Sequence, residues 1–406
     1  MTEISAGATS TQTLPVMFSG LKSTLFPLAL KTSILTVLTL GFYRFWMKTR
    51  LRRYYWSAIK PGDFPLEYTG TGVEKLLGFL VAVVVMAFYI GVFNLILMFL
   101  SFSLLNDNFM AYLASFAGVV PIYFFAQYRA RRYVLARTRW RGIRFGIKPA
   151  AWRYAGAALL HWTLTILTLG ILLPRQVFKL EKFRIDRTWF GDRVFTQGGK
   201  WTDLLRPATH FYIGLIATLA TAGLGFLDIG WLGLLVVSIP WLIFGFIYFS
   251  VRSFAVMAAS KRLGDDVAFQ ANPRTGRVIG IYLLGNLLTG LSMWGIGIVV
   301  VIVLVILSAM FGSFALDETT LDRALSGQLK GLEIALYAAI ASVYFGFFAL
   351  YGAFSKVFVT LPTMQHYAET LTIQGTHNLT AIRQRPRDEF SEAEGFAEAL
   401  DIGAAI

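Results

Sequence analysis

The sequence predicts an all-α multi-pass transmembrane bundle with pseudo-three-fold internal repeats, carrying short cytoplasmic β-hairpins that form a small β-layer. Three observations carry that prediction. The 406 residues are 56% hydrophobic and only 15% charged, where soluble domains run at roughly a quarter charged. Long apolar stretches alternate with basic, aromatic segments. A Gly-centred motif recurs between them, as "WRGIRFG" (140–146) and "WFGDRVF" (189–195).

Six apolar stretches approach the ~20 residues that a bilayer core of ~30 Å demands of a helix. They cover 75–105, 109–128, 207–227, 229–251, 291–312 and 331–354. They pair across loops that are short or partly acidic: "NDN" (106–108), Asp228, and "SFALDETTLDRALSGQLK" (313–330). The opposite ends are basic, as in "KTRLRRYYW" (48–56) and "YRARRYVLARTRWRGIR" (128–144). Positive charge beside apolar spans places the basic segments, hairpins and C-terminus in the cytoplasm. A formal charge of +14 so distributed suits anionic phospholipid headgroups; no nucleic-acid reader motif is present, and no nucleic-acid partner is expected. The polar start "MTEISAGATSTQTLPVMFSG" lacks a basic region followed by an apolar core, so no cleaved signal peptide is expected. The chain has no cysteine, which excludes disulfides, thiolate metal sites and Cys nucleophiles.

Three shorter apolar stretches resemble one another: "LKTSILTVLTLGFYRFW" (30–46), "LHWTLTILTLGILLPRQ" (160–176) and "LGNLLTGLSMWGIG" (284–297). Thr36 and Thr39 align with Thr165 and Thr168, then with Thr289 and Ser292; Gly41 aligns with Gly170. Two readings stay open: a helix broken near the Gly whose second half lies along the inner leaflet or re-enters it, or a plain span. The third copy is free to fuse with the span after it. Basic helices lead into β-like runs around a central Gly at 59–70, 139–147, 188–199, 262–273 and 371–380. Apolar residues flank the turn there (Trp140, Ile143 and Phe145; Trp189, Val194 and Phe195), as hairpins require. "VMFSG" (16–20) is expected to be a lone strand. The chain thus divides into a disordered N-terminus (1–15), repeat units at 16–143, 144–263 and, degenerate, 264–380, and an acidic cytoplasmic tail (381–406) with a short helix from Ser391 to Leu400.

The string "LTLGFYRFWMKTRLRRYYW" (38–56), with "FSG" (18–20) and "AEGFAEALDIG" (393–403), resembles the YjgN-like family of bacterial inner-membrane proteins over nearly the whole chain. The resemblance implies a multi-pass protein of the bacterial inner membrane. It implies no reaction, no substrate and no catalytic residue.

No chemistry is legible beyond that. The four histidines have no metal-ligand spacing, and His366, His377 and Glu369 read as solvated polar residues. There is no nucleophile elbow and no P-loop. No enzyme, cofactor or metal is expected. Polar residues in matching places of the three units are the better lead: Lys31, Ser33, Thr36 and Thr39; His161, Thr165 and Thr168; Asn286, Thr289 and Ser292. They either line a polar path on the pseudo-symmetry axis, or bond back to their own helices, glue helices together and, for Lys31, snorkel. Arg50, Arg52, Arg53, Arg129, Arg131, Arg132, Lys179, Lys182 and Arg184 are candidate lipid-headgroup contacts. Glu181, within "RQVFKLEKFR", and Glu74, beside Lys75, read as local ion-pair partners. Three functions are therefore expected in competition: a channel or transporter-like path, a non-catalytic scaffold recruiting a protein partner at its cytoplasmic face, and inner-leaflet lipid binding. A homo-oligomer is compatible with each.

Overall fold

In a computed structural model, which describes residues 13–105, 109–311, 326 and 331–385, short strands are the organising element. They are β1 (Thr13–Phe18), β2 (Ile59–Pro61), β3 (Leu66–Tyr68), β4 (Thr138–Trp140), β5 (Ile143–Ile147), β6 (Thr188–Phe190), β7 (Arg193–Gln197), β8 (Lys261–Leu263), β9 (Val267–Ala271) and β10 (Leu371–Gln374). All pair antiparallel in one ten-stranded sheet, in the order β2-β1-β10-β9-β8-β7-β6-β5-β4-β3. The end strands β2 and β3 are joined by residues 62–65 and touch, so the sheet nearly closes on itself.

This corrects the expected fold class. The chain is not an all-α transmembrane bundle with a few hairpins beneath it. Strands of three to six residues are too short to persist in isolated pairs, and each open edge attracts another. Pairing all ten in one ring satisfies both needs. The count of spans is corrected as well. Of the six expected, four helices among the described residues are long and apolar enough to cross a membrane: Gly72–Leu104, Ile229–Ala259, Thr275–Val303 and Tyr344–Glu369. The stretch at 207–227 folds as a helix of only 16 residues.

The helices are α1 (Lys22–Leu38), α2 (Arg44–Ala58), α3 (Gly72–Phe88), α4 (Asn94–Leu105), α5 (Phe109–Ala136), α6 (Ala151–Leu167), α7 (Leu173–Ile185), α8 (Thr209–Leu224), α9 (Leu235–Ala259), α10 (Thr275–Phe311), α11 (Gly331–Ser355) and α12 (Leu361–Glu369). A π-turn, Tyr89–Phe93, carries α3 into α4. The chain forms two compact units: Met1–Ser19, Arg52–Ile279 and Gln365–Ile406, which hold the sheet, and Gly20–Leu51 with Gly280–Met364, which are helical. The expected acidic tail helix, the "NDN" turn and nearly all of the 313–330 loop lie outside the described residues, as do residues 1–12 of the N-terminus.

In the sheet unit the period-2 pattern puts Val16, Trp140, Phe190, Phe195, Leu263, Val267 and Ile373 into one core, which Leu379 and Ile382 complete from beyond β10. The apolar positions differ from expectation at the third hairpin. Phe190 and Phe195 face the core, whereas Trp189 is half-buried and its ring fills the space where a side chain at Gly146 of β5 would stand. Neighbours on a strand face opposite ways, so Val194 and Phe195 cannot share a face. The β4–β5 turn has φ of +52° at Arg141 and +77° at Gly142, positive at both central residues as a tight two-residue hairpin requires. The expected fifth hairpin is a single strand, β10, followed by a 3-10 turn at Thr376–Ala381.

The first two Thr-rich copies end alike. Gly41 N–H donates to Thr36 O and Gly170 N–H to Thr165 O, each at 2.7 Å, while Leu40 N–H reaches Val37 O and Leu169 N–H reaches Ile166 O. This six-to-one and five-to-two pair is a Schellman stop. In both copies the left-handed position holds a leucine, at φ of +51° for Leu40 and +50° for Leu169. The third copy has no such stop and runs on as α10.

Candidate functional site

The densest charged constellation lies in the sheet unit, where α5, α7 and the start of β8 meet. Helical spacing on α7 puts Glu181 beside Arg184, whose guanidinium donates to Oε2 at 2.8 Å, and pairs Lys182 with Asp186 at 3.0 Å. Tertiary packing adds two cations to the same carboxylate: Arg131 of α5 and Lys261 of β8 each stand 3.7 Å from Oε1. Glu181 has 17% of its side chain exposed, and the three cations 21 to 31%. Burial, the largest influence, pushes the Glu181 carboxyl up, but Arg131, Arg184, Lys261 and the hydrogen bond from Arg184 outweigh it and hold it at about 2. Burial presses the pKa of Arg131 and Lys261 down, and Glu181 opposes that.

The surroundings fix this cluster in place. The Tyr154 hydroxyl donates to Gln127 Oε1 at 2.9 Å and the Tyr128 hydroxyl to Lys148 O at 2.6 Å, bracing α5 against α6 and the sheet. Gln197, 1% exposed, donates to Met257 O at 3.0 Å and Ser260 Oγ at 2.7 Å, and its N–H reaches Asp186 Oδ1 at 2.8 Å. The end of α9, the end of β7 and α7 are thereby locked around Lys261. A second cationic cluster sits at α2, β3 and α3. Arg52, 4% exposed, lies 5.3 Å from the Tyr68 ring and 5.6 Å from Trp56, and Lys75, fully buried, is 5.3 Å from the same Tyr68. Glu74 accepts from Tyr133 Oη at 2.8 Å and pairs with Arg137 at 3.1 Å.

The candidate headgroup residues therefore part company. Arg50, Arg53 and Lys179 are exposed, and Arg53 also donates to Gly70 O at 2.9 Å. Arg129 is half-buried, its guanidinium 5.5 Å from the Phe125 ring. Arg52 and Arg132 are buried, Arg131 and Arg184 turn to Glu181, and Lys182 turns to Asp186 and Gln197 O. The role of Glu181 as a hub is not legible in the sequence, because Lys261 and Arg131 lie 80 and 50 positions from it in the chain; the one signal is a lysine placed between a long apolar helix and a hairpin.

The candidate polar path is placed as follows. In the sheet unit Thr165 donates to His161 O and Thr168 to Leu164 O, both at 2.8 Å, and His161 Nδ1 lies 3.2 Å from the Arg175 guanidinium. In the helical unit Thr36 bonds Thr32 O, Thr39 bonds Leu35 O and Thr289 bonds Gly285 O, each at 2.8 Å. Ser33 lies 3.7 Å from Met47 Sδ, Asn286 bonds Tyr282 O at 2.7 Å, Ser292 is half-buried and Lys31 is exposed. The helical unit also holds an open crevice of about 570 Å³ lined by Met293, Trp294, Ile298 and Phe347, all apolar. His366 accepts from Arg274 N–H at 3.0 Å through Nε2.

A family model described as "Bacterial protein of unknown function (DUF898)" matches residues 13–293. No curated protein and no solved structure matches the chain. The matched region holds nine of the ten strands and the whole Glu181 cluster, and it spans well over half of the 406 residues. The chain belongs to this family, the YjgN family of bacterial proteins of unknown function.

Proposed function

We propose that this is a multi-pass protein of the bacterial inner membrane that holds its sheet at the cytoplasmic surface and binds anionic phospholipid headgroups there, without catalysis. One observation carries the reading. Apolar helices leave the sheet and return to it within one to three residues of a strand: α3 follows β3, α5 leads into β4, and α9 leads into β8. Their outer faces are apolar and exposed, as at Leu77, Val81, Val84 and Phe88 on α3 or Val236, Ile239 and Ile243 on α9. A contiguous face of this kind needs lipid or another apolar partner around it. Exposed or half-exposed cations lie near these helices, with Arg53 on Gly70 O between β3 and α3 and Arg129 against the Phe125 ring on α5, and Lys179 is exposed on α7, a composition favoured at a membrane interface.

The back-bonded threonines support this reading over a polar path, because a hydroxyl satisfied by its own helix has no need of a water-filled lumen. The test is the lipid that leaves the membrane with the protein. Purified in a mild uncharged detergent, the wild-type chain should carry anionic phospholipid well above its share of the membrane, by mass spectrometry of extracted lipid. The variant Arg50→Gln/Arg53→Gln/Lys179→Gln should lose at least half of that enrichment. Lipid in the proportions of the membrane for both proteins would remove the proposal.

A further inference from the structure

We infer that Arg131, Arg184 and Lys261 form a specific receptor for a phosphate group, with Glu181 as a built-in counter-ion that balances only part of their charge. The inference rests on the headgroup reading above and gives it a site. Three cations share one carboxylate, which leaves two positive charges in excess in a largely buried recess. Buried charge without compensation is costly, and an anion that approaches removes the cost. The cluster keeps donor capacity in reserve. Arg184 takes Glu181 Oε2 at hydrogen-bond distance, but Arg131 and Lys261 both stop at 3.7 Å from Oε1, beyond a good hydrogen bond. Arg131 is 31% exposed, and its one ion pair among the described residues is that long contact. A guanidinium presents five donors in a planar fork suited to phosphate oxygens, and an ammonium adds a point charge.

The recess is built rather than incidental. Tyr154 and Tyr128 brace the helix that carries Arg131, and Gln197 with Ser260 fixes the start of the strand that carries Lys261. Lys182 is already matched by Asp186, so the excess is not neutralised by the next acid along α7. A phosphate carrying one or two negative charges would complete the balance. The same chemistry is offered by a lipid headgroup and by free inorganic phosphate.

The experiment uses the full chain in uncharged detergent at constant ionic strength. Thermal unfolding is followed against inorganic phosphate, a soluble short-chain phosphatidic acid, the matching short-chain phosphatidylcholine, and chloride. A concentration-dependent rise in melting temperature with the phosphatidic acid, absent with phosphatidylcholine and chloride, is expected. Arg131→Gln and Lys261→Gln should each weaken the apparent affinity at least tenfold. Glu181→Gln should strengthen it several-fold if it folds; the two cation variants carry the test if it does not. A matching response to inorganic phosphate assigns the site to free phosphate, and a response to the lipid alone assigns it to a headgroup; both uphold the receptor. A lipid response unchanged in Arg131→Gln and Lys261→Gln but lost in Arg50→Gln/Arg53→Gln/Lys179→Gln overturns the receptor and leaves the surface reading standing. Equal responses to phosphatidic acid and phosphatidylcholine overturn both.

Discussion

Glu181 is the residue where helix, strand and charge meet, and its removal should be costly. Glu181→Gln strands Arg131 and Lys261 in a largely buried recess, and breaking a buried pair from one side costs about 3–5 kcal/mol. Chemical denaturation at neutral pH and low anion concentration should show that loss. The acid dependence has a definite sign. The carboxyl is held at about 2 in the folded chain against an ordinary 4.5, so its contribution is whole above 4.5 and drains away as the pH falls from there towards 2. The stability gap between wild type and Glu181→Gln should therefore close over that window; a gap that stays constant from pH 5 to pH 3 contradicts the assignment. The candidate path makes a second prediction at this scale. Thr165 is 6% and Thr289 is 1% exposed, each with its hydroxyl bonded four residues back. In this cysteine-free chain Thr165→Cys and Thr289→Cys should resist a membrane-impermeant thiol reagent, while Asp228→Cys, on the exposed turn between α8 and α9, reacts readily. Labelling of both buried positions at the rate of Asp228→Cys would restore the path. At this scale the residue types were legible from the sequence and their partners were not. Glu181 and Arg184 are three apart on a helix, but nothing local brings Arg131 or Lys261 to them.

Among the elements, the paired Schellman stops are the most informative. A left-handed residue without glycine's freedom costs roughly 1–2 kcal/mol, and both stops carry leucine where glycine is the usual occupant. Leu40→Gly and Leu169→Gly should therefore raise stability by about 1 kcal/mol each, measured as an increased melting temperature with helix content unchanged. A fall on substitution would mean that the leucine side chains hold the turns through contacts worth more than the strain. Close approach governs α8 and α9. A Cβ on Gly245 would lie 2.5 Å from His210 O, and one on Gly214 would lie 2.6 Å from Leu242 Cα. Gly245→Leu should cost about 1–3 kcal/mol through overpacking and separate the two helices, read as faster proteolysis of their connecting turn. The breaks themselves were legible, because Thr-Leu-Gly closes both helices. The unbroken course of α10 followed from the loss of that triplet, where Met293-Trp294 stands instead.

For the whole molecule, sidedness is the property that matters. Helices that leave and rejoin one sheet put its turns on one side of any membrane they cross. Single cysteines at Asp63 and Asp265, both exposed at sheet turns, should label from one face only, and Asp228→Cys from the other. Asp63→Cys and Asp265→Cys labelling from opposite faces would sink the arrangement. The sheet is faint in the sequence because its strands are three to six residues long, far below the signal of a twenty-residue apolar helix. Hydropathy is the stronger periodic signal, so in the sequence the strands look like appendages to helices.

By itself the sequence determined where chain direction changes. Gly142, Gly191 and Gly264 mark hairpin turns, Gly41 and Gly170 mark helix stops, and the apolar and basic blocks mark which segments shun water and which accept it. These are local properties, set by the φ that a residue tolerates and by the solvent that a side chain accepts. Only the tertiary structure decided that ten short strands share one nearly closed sheet, and that two cations distant in the chain converge on Glu181. Strand partners satisfy backbone groups that are the same in every residue, so sequence says little about which edges meet. A buried carboxylate collects whichever cations the packing of that sheet and its helices brings within reach.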